Sequence, residues 1–184
     1  MIYVALLRGI NVGGKAKVEM VKLKRTFERL GFEDVKTYIA SGNVIFRTDS
    51  GDRMTLTKRI EAAIKKDFGM HVNVLLRDIR EMKKIVKALP SSWVNGGDMK
   101  CDVMFLWKDV DRVTTFKQLP FNKEIEDAKY VPGAIVWRID REKISKTRLI
   151  RALMGTELYR QMTIRNCNTA RKLYELMMDA EKGE

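Results

Sequence analysis

Cysteine and histidine are scarce in this chain, and their scarcity excludes two classes of protein. Two cysteines, Cys101 and Cys167, are too few for the disulfide framework of a small secreted domain. The single histidine, His71, has no paired cysteines beside it, so no set of zinc ligands is recognisable. We therefore expect neither a metal site nor a bound cofactor.

Long apolar runs are also missing. No stretch of the sequence approaches the roughly 20 apolar residues that a membrane-spanning helix needs. The chain opens with a short apolar run that ends at glycines, which is not the pattern of a secretory signal peptide. Together with the low cysteine content, this pattern predicts a cytoplasmic protein with no membrane partner.

Basic residues are abundant and unevenly distributed. The 184 residues include 36 Lys or Arg and 24 Asp or Glu, which gives a net charge of +12. Residues 1–31 hold seven basic residues against two acidic ones, residues 138–172 hold ten against three, and the rest of the chain is balanced. This imbalance predicts a negatively charged partner that binds where the two basic segments come together.

Apolar periodicity predicts two similar halves. The order of elements in the first half is β-α-β-β-α-β, which is the order of a ferredoxin-like domain. The strands of this half are predicted over 2–7, 34–39, 43–47 and 72–76, and its helices over 19–30 and 54–68. The strand over 2–7 is apolar on both faces, so we expect it near the centre of a sheet.

The second half is predicted to repeat this order less regularly, after a linking helix over 79–89. Its strands are expected over 101–107, 128–131, 134–139 and 162–165, and its helices over 113–119, 146–154 and 169–181. We therefore predict an α+β protein with two ferredoxin-like (βαββαβ) subdomains, the second partly irregular, with linking and C-terminal helices. The expected division is a ferredoxin-like subdomain over 1–77, a bridging helix and linker over 78–99, and a second subdomain over 100–184.

The first predicted strand runs into a glycine-rich basic segment, Arg8-Gly9-Ile10-Asn11-Val12-Gly13-Gly14-Lys15. Backbone N–H groups and cations at the end of a strand suit the recognition of phosphate or carboxylate. The spacing matches a P-loop, but Ala16 stands where a P-loop has the Ser or Thr that ligates magnesium. We therefore predict a simple anion nest; the alternative is that the glycines only permit a tight turn.

A second polar cluster, Thr163-x-Arg165-Asn166-x-Asn168-Thr169, directly precedes the last predicted helix. Asn168 or Thr169 is expected to cap that helix. An arginine at the positive end of a helix offers an anion a fixed fork of donors; the alternative is that Arg165 pairs with a backbone carbonyl or an acid. Lys146, at the start of the preceding predicted helix, supplies a further cation.

These motifs resemble those of a bacterial family called domain of unknown function 1697. The resemblance rests on the segment from Arg8 to Lys15, on Thr37-Tyr38-Ile39-Ala40-Ser41-Gly42-Asn43-Val44-Ile45-Phe46, and on Thr163-Ile164-Arg165-Asn166-Cys167-Asn168-Thr169. It implies a bacterial, cytoplasmic α+β protein with ferredoxin-like subdomains, and it implies no activity, because the family has none assigned.

Two positions depart from the family pattern. Glu19 stands where the family has a proline, and Cys167 stands where it has a tryptophan. A mechanism shared by the family therefore cannot depend on Cys167.

The predicted function is binding of an anionic small molecule, bearing phosphate or carboxylate, at a basic site between the glycine-rich loop and the C-terminal Arg-Asn motif. Whether the protein is an enzyme stays open, because the sequence has no recognisable catalytic triad, metal site or complete P-loop. The candidate ligand-binding residues are Arg8, Asn11, Gly13, Gly14, Lys15, Lys17, Ser41, Asn43, Lys146, Arg165, Asn166 and Asn168.

Two other classes of function are carried as alternatives. A nucleic-acid-binding protein would use the same basic surface to contact backbone phosphates. In that class, Tyr3 and Phe46 faintly resemble the base-stacking aromatics of RNA-recognition modules, although a core position is the more common role for such residues. A protein–protein adaptor would instead present an exposed apolar patch. The oligomeric state is left open.

Overall fold

Two four-stranded antiparallel sheets form the framework of the protein, described here from a computed structural model for residues 1–11 and 17–183. The chain divides into two compact units. Unit 1 comprises residues 1–79 and 173–184, and unit 2 comprises residues 80–172. The last helix of the chain therefore contributes its first residues to unit 2 and the remainder to unit 1.

Unit 1 has the β-α-β-β-α-β order that the sequence predicts. Its elements are β1 (Ile2–Leu7), α1 (Met20–Arg29), β2 (Glu33–Tyr38), β3 (Asn43–Arg47), α2 (Arg53–Phe68) and β4 (Val74–Asp78). The strands lie in the order β2-β3-β1-β4, and each neighbouring pair is antiparallel. This is the ferredoxin-like arrangement.

The core of unit 1 lies between its sheet and its two helices. Alternation along β1 directs Tyr3, Ala5 and Leu7 towards the helices, where they join the core with Leu23 and Phe27 of α1. The intervening residues of β1 point to the opposite face and are equally buried. The unbroken apolar run over 2–7 therefore forms a strand that is buried on both faces, as predicted.

Unit 2 repeats this topology with shorter helices. Its elements are α3 (Ile79–Ala88), β5 (Met99–Leu106), α4 (Val113–Lys117), β6 (Glu126–Val131), β7 (Ala134–Asp140), α5 (Leu149–Leu153), α6 (Glu157–Arg160), β8 (Met162–Asn166) and the start of α7 (Cys167–Lys182). The strand order is β6-β7-β5-β8, which matches that of unit 1 position for position. The predicted fold class, two ferredoxin-like subdomains with the second partly irregular, is confirmed.

The helix predicted over 146–154 is present, but it covers only Leu149–Leu153. A 3₁₀ turn over Arg141–Lys146 is followed by extended backbone at Thr147, and α5 then begins at Leu149. The buried hydroxyl of Thr147 donates a hydrogen bond to the carboxylate of Glu126 on β6. Thr147 is thus held in extended backbone by a tertiary contact, and it lies outside the helix.

Within residues 1–11 and 17–183, none of the helices combines the length and the apolar character that crossing a membrane would require.

Candidate functional site

Two segments that are distant in the sequence meet at one end of the unit 1 sheet, where β1 ends and β3 begins. We call residues 8–11 and 39–43 together the loop corner. The backbone N–H of Leu7 donates to the Gly42 carbonyl at 2.8 Å, and the side chain of Asn11 donates to the Ala40 carbonyl at 2.7 Å. The glycine-rich motif and the Ser41-Gly42-Asn43 turn therefore form a single structural feature.

Gly42 is required at this corner for two reasons. Its φ of +77° lies in the left-handed region that favours glycine. A Cβ atom at this position would lie 2.6 Å from Cδ1 of Ile10 and 2.8 Å from Cβ of Leu7. The loop corner is thus packed so tightly that no side chain fits at position 42 without movement of its neighbours.

Asn11 ties together the two ends of the loop that connects β1 to α1. Its Oδ1 accepts a hydrogen bond from the Val18 N–H at 2.8 Å, and its Nδ2 donates to the Val18 carbonyl at 2.9 Å as well as to Ala40. Both amide hydrogens are used in this way. The Asn11 side chain therefore holds Asn11 and Val18, which lie on either side of the glycine-rich segment, next to each other.

The predicted nest residues Gly13, Gly14 and Lys15 lie outside the described residues, which end at Asn11 and resume at Lys17. Lys17 is exposed and has no acidic partner among the residues that the structure describes. Arg8 is half-buried at the other end of the loop, where its backbone N–H donates to the Asn73 carbonyl at 3.0 Å. Arg8 and Lys17 thus lie on opposite sides of the glycine-rich segment in the sequence.

The loop corner also holds strained backbone. Asn11 and Ile39 have φ values of +54° and +48°. Asparagine enters the left-handed region more readily than most residues, whereas a positive φ is a genuine outlier for a β-branched residue such as isoleucine. The side chain of Ile39 is 49% exposed, so burial does not compensate its strain. Strain such as that of Ile39 costs about 1–3 kcal/mol, and it clusters at functional sites.

Ser41 and Asn43 serve the turn itself. Asn43 is fully buried, and its Nδ2 donates to the Tyr38 carbonyl at 2.9 Å and to Oγ of Ser41 at 3.0 Å. These contacts close the turn between β2 and β3. Four of the predicted site residues, Arg8, Asn11, Ser41 and Asn43, are therefore brought together at the loop corner.

A cavity of about 440 Å³ adjoins the returning end of the loop and is lined by Lys17, Glu19, Lys22 and Phe68. The Nζ atom of Lys22 donates to the Asp67 carbonyl at 2.6 Å and lies 4.8 Å from the centre of the Phe68 ring. Two lysines against one glutamate give this cavity a positive charge. The apolar ring of Phe68 forms one of its walls.

Arg165, in unit 2, is buried in β8 with only 7% of its surface exposed. Its Nη1 donates to Oγ1 of Thr163 at 3.0 Å and to the Ile164 carbonyl at 2.8 Å. Burial lowers the pKa of this guanidinium to about 10, so it stays charged at neutral pH. The alternative role weighed for Arg165, pairing with a backbone carbonyl, is present in the structure.

Asn166 caps α7: its Oδ1 accepts a hydrogen bond from the Thr169 N–H at 2.8 Å. The expectation that Asn168 or Thr169 caps this helix is wrong, because α7 begins two residues earlier than predicted. Asn168 instead contacts the backbone of Asn95, donating to its carbonyl at 2.8 Å and accepting from its N–H at 3.2 Å. Lys146 is exposed at the end of the 3₁₀ turn.

Arg165 and Asn166 are neighbours in β8, so their side chains point to opposite faces of the sheet. Asn166 is the last residue of this strand. Asn166 and Asn168 each have a backbone partner as well. Ligand binding by Lys146 and these three residues stays a prediction.

The aromatic rings considered for base stacking are not accessible. Tyr3 and Phe46 belong to the core on the helix side of the unit 1 sheet, with 1% and 0% of their surfaces exposed. Their ring centroids are 5.9 Å apart in a stacked arrangement. They serve packing, which was the more common role for such positions.

Glu126 is a buried polar residue that the sequence analysis missed. It is 4% exposed and accepts hydrogen bonds from the Asn122 N–H at 2.6 Å, from Nε1 of Trp137 at 3.3 Å and from Thr147. It borders a cavity of about 480 Å³ that Phe116 and Phe121 also line. The sequence did contain a signal for its burial. Side chains of a strand alternate between the two faces of the sheet, and Glu126 lies two residues before Ala128, which packs against the core of unit 2.

The part of the chain that the structure describes contains no group of three or more His, Cys, Asp or Glu side chains arranged to hold a metal ion.

Comparisons with known proteins identify a family. The model of a family described as Protein of unknown function (DUF1697) matches residues 1–137. The solved structure of conserved bacterial protein SP0830 from Streptococcus pneumoniae is similar to this chain, with a TM-score of 0.81 and 30% sequence identity over 96% of this chain and 98% of that one. Curated proteins gave no match. The chain belongs to the DUF1697 family, which confirms the resemblance noted from its sequence.

Proposed function

We propose that this member of the DUF1697 family binds a small molecule bearing phosphate or carboxylate, and that the loop between β1 and α1 provides the main contacts. The observation that carries the proposal is the Asn11 clamp. One side chain makes three hydrogen bonds, of 2.7 to 2.9 Å, that hold both ends of the loop and join it to the 39–43 turn.

The backbone strain supports a binding role for the same corner. Asn11 and Ile39 both adopt positive φ at the loop corner, and the exposed Ile39 side chain gains no burial in exchange. Strained residues persist when the surrounding structure determines them, and they are common at ligand sites.

Charge supports an anion as the ligand. In sequence, the loop combines Lys15 and Lys17 with Gly13 and Gly14, which is the composition of an anion nest. The adjoining cavity of about 440 Å³ adds Lys22. This volume is within the range of small-molecule sites.

The proposed contacts therefore belong to unit 1. Arg165, Asn166 and Asn168 hold parts of unit 2 together through protein hydrogen bonds, so we assign them a structural role and the loop lysines the role of ligand contact. The proposal concerns binding, and it leaves open whether a reaction follows.

A thermal-shift experiment tests the proposal. Inorganic phosphate, sugar phosphates, nucleoside monophosphates and citrate are each titrated against the wild type, Lys15→Ala, Lys17→Ala and Lys83→Ala. Lys83→Ala is the matched control, because this exposed lysine lies on α3 in unit 2. A ligand at about 100 times its Kd stabilises the folded state by about 2.7 kcal/mol.

We expect saturable stabilisation of the wild type and of Lys83→Ala, and a weakened response of the two loop variants. The proposal fails if no anion stabilises the wild type, or if Lys15→Ala and Lys17→Ala respond as the control does. Oligonucleotides at two salt concentrations form a further arm. Binding by oligonucleotides alone, with an affinity that falls steeply as salt rises, would favour a nucleic-acid partner instead.

A further inference from the structure

The cavity of about 480 Å³ in unit 2 lies between the end of α4, the segment 118–125 and the start of β6. Its apolar lining consists of Phe116, Leu119, Phe121 and Ala128. The rings of Phe116 and Phe121 are in contact, with 5.2 Å between their centroids. Both the volume and the aromatic lining are typical of a small-molecule site. The cavity shares no residue with the loop corner of unit 1.

Glu126 also lines this cavity, although it is only 4% exposed. Its Oε1 accepts hydrogen bonds from Nε1 of Trp137 at 3.3 Å and from the hydroxyl of Thr147, and its Oε2 accepts one from the Asn122 N–H at 2.6 Å. Because N–H groups can only donate, these partners suit an ionised carboxylate. Such a carboxylate has about four acceptor positions, so Oε2 keeps one position for a further donor.

No cation in the described part of the chain forms an ion pair with Glu126. The next residue, Asp127, differs in this respect, because its exposed carboxylate binds Arg138 at 2.6 Å. A buried charge without a counter-charge is costly, and an apolar side chain of similar size would avoid that cost. A cationic ligand in the cavity would supply the missing counter-charge.

Two lysines, Lys117 and Lys123, line the exposed rim of the cavity. Solvent screens the charges of exposed side chains, whereas the charge of Glu126 is screened much less because it is buried. The lysines therefore do not replace a cation beside Glu126, and they disfavour a second positive charge at the rim. The ligand that fits both ends of the cavity has one positive charge, at the end that reaches Glu126.

We propose that this cavity binds a small organic ammonium ion with an aromatic body. The ammonium group donates a hydrogen bond to Oε2 of Glu126 and supplies its counter-charge. The aromatic body packs against Phe116 and Phe121. This site belongs to unit 2, so it is independent of the anion site proposed in unit 1.

Isothermal titration calorimetry with three probes of similar shape tests the site. Phenethylamine, 2-phenylethanol and phenylacetate all carry a phenyl ring, and at neutral pH they are a cation, a neutral molecule and an anion. Each probe is titrated into the wild type, Glu126→Gln, Ala128→Leu and Glu124→Gln. Circular dichroism before titration identifies the variants that fold.

The variants separate the carboxylate from the space beside it. Glu126→Gln removes the charge, whereas Ala128→Leu keeps the carboxylate and fills part of the cavity. Glu124→Gln is the matched control, because Glu124 is an exposed carboxylate of the same segment and does not line the cavity. If Glu126→Gln does not fold, Ala128→Leu and the comparison of the three probes on the wild type decide the outcome.

We expect phenethylamine to bind the wild type and Glu124→Gln at a single site. The neutral and anionic probes are expected to bind about tenfold or more weakly, because they cannot form the charge-assisted hydrogen bond. Phenethylamine should lose a similar factor in Glu126→Gln and in Ala128→Leu. The proposal is overturned if phenethylamine does not bind the wild type, if either other probe binds as tightly, or if the folded cavity variants bind phenethylamine as the control does.

Discussion

Replacement of Gly42 by alanine tests the packing of the loop corner on which the proposed binding site depends. Two costs add at this position. An L-residue held at a φ of +77° costs about 1–2 kcal/mol. The new Cβ also lies 2.6 Å from Cδ1 of Ile10 and 2.8 Å from Cβ of Leu7, and such overpacking costs about 1–3 kcal/mol. We expect Gly42→Ala to lower the free energy of unfolding by about 2–5 kcal/mol.

Gly69→Ala is the matched control for this substitution. Gly69 ends α2 in the same unit, its φ is +70°, and a Cβ atom there would meet nothing within 4 Å. It therefore carries the conformational cost without the clash. The difference between the two variants, about 1–3 kcal/mol, isolates the contact of Gly42 with the loop.

Urea unfolding of both variants, followed by far-ultraviolet circular dichroism, measures this difference. Ligand titration of Gly42→Ala in the thermal-shift assay then asks whether displacement of Ile10 also weakens anion binding. Equal destabilisation by Gly42→Ala and Gly69→Ala would refute the close packing of the 39–43 turn against Ile10 and Leu7.

Two further predictions concern unit 2. Asn166→Ala removes the cap of α7 and is expected to cost about 1 kcal/mol in the free energy of unfolding by urea; an unchanged value would contradict the capping role. Burial, and then the hydrogen bond to Asp111, raises the pKa of Tyr130, so the folded state favours the protonated phenol. The resulting stabilisation is complete below the ordinary tyrosine pKa of about 10 and is lost as pH rises through the raised value. In an ultraviolet pH titration of the folded protein, Tyr130→Phe should therefore remove the signal of a tyrosine that ionises above the ordinary tyrosine pKa. Loss of the signal of a tyrosine that ionises at its ordinary pKa would contradict this assignment.

Much of the fold is encoded in local patterns. The apolar run over 2–7 predicts a central strand, and β1 is buried on both faces. Gly69 correctly predicts the end of α2, because only a residue tolerant of the left-handed region fits its C-cap. Pro132-Gly133 likewise predicts the turn between β6 and β7. These features depend on residues close together in the chain, so a single sequence contains the information that determines them.

The candidate site is determined only partly by such local patterns. The glycine-rich segment identifies a loop, but the bond from Asn11 to Ala40 spans 29 residues and forms only when β1 and β3 pair. Likewise, no local pattern indicates that Thr147 bonds to Glu126 and lies in extended backbone before α5 begins.

The sequence by itself determined the family, the two repeated β-α-β-β-α-β units and the position of the basic glycine-rich loop. The tertiary structure decided what the polar side chains do. It made Asn11 a clamp and directed Arg165 into a buried face. The physical reason is the register of the strands: a shift of one residue turns every side chain of a strand to the opposite face, and register is set by packing across the whole sheet.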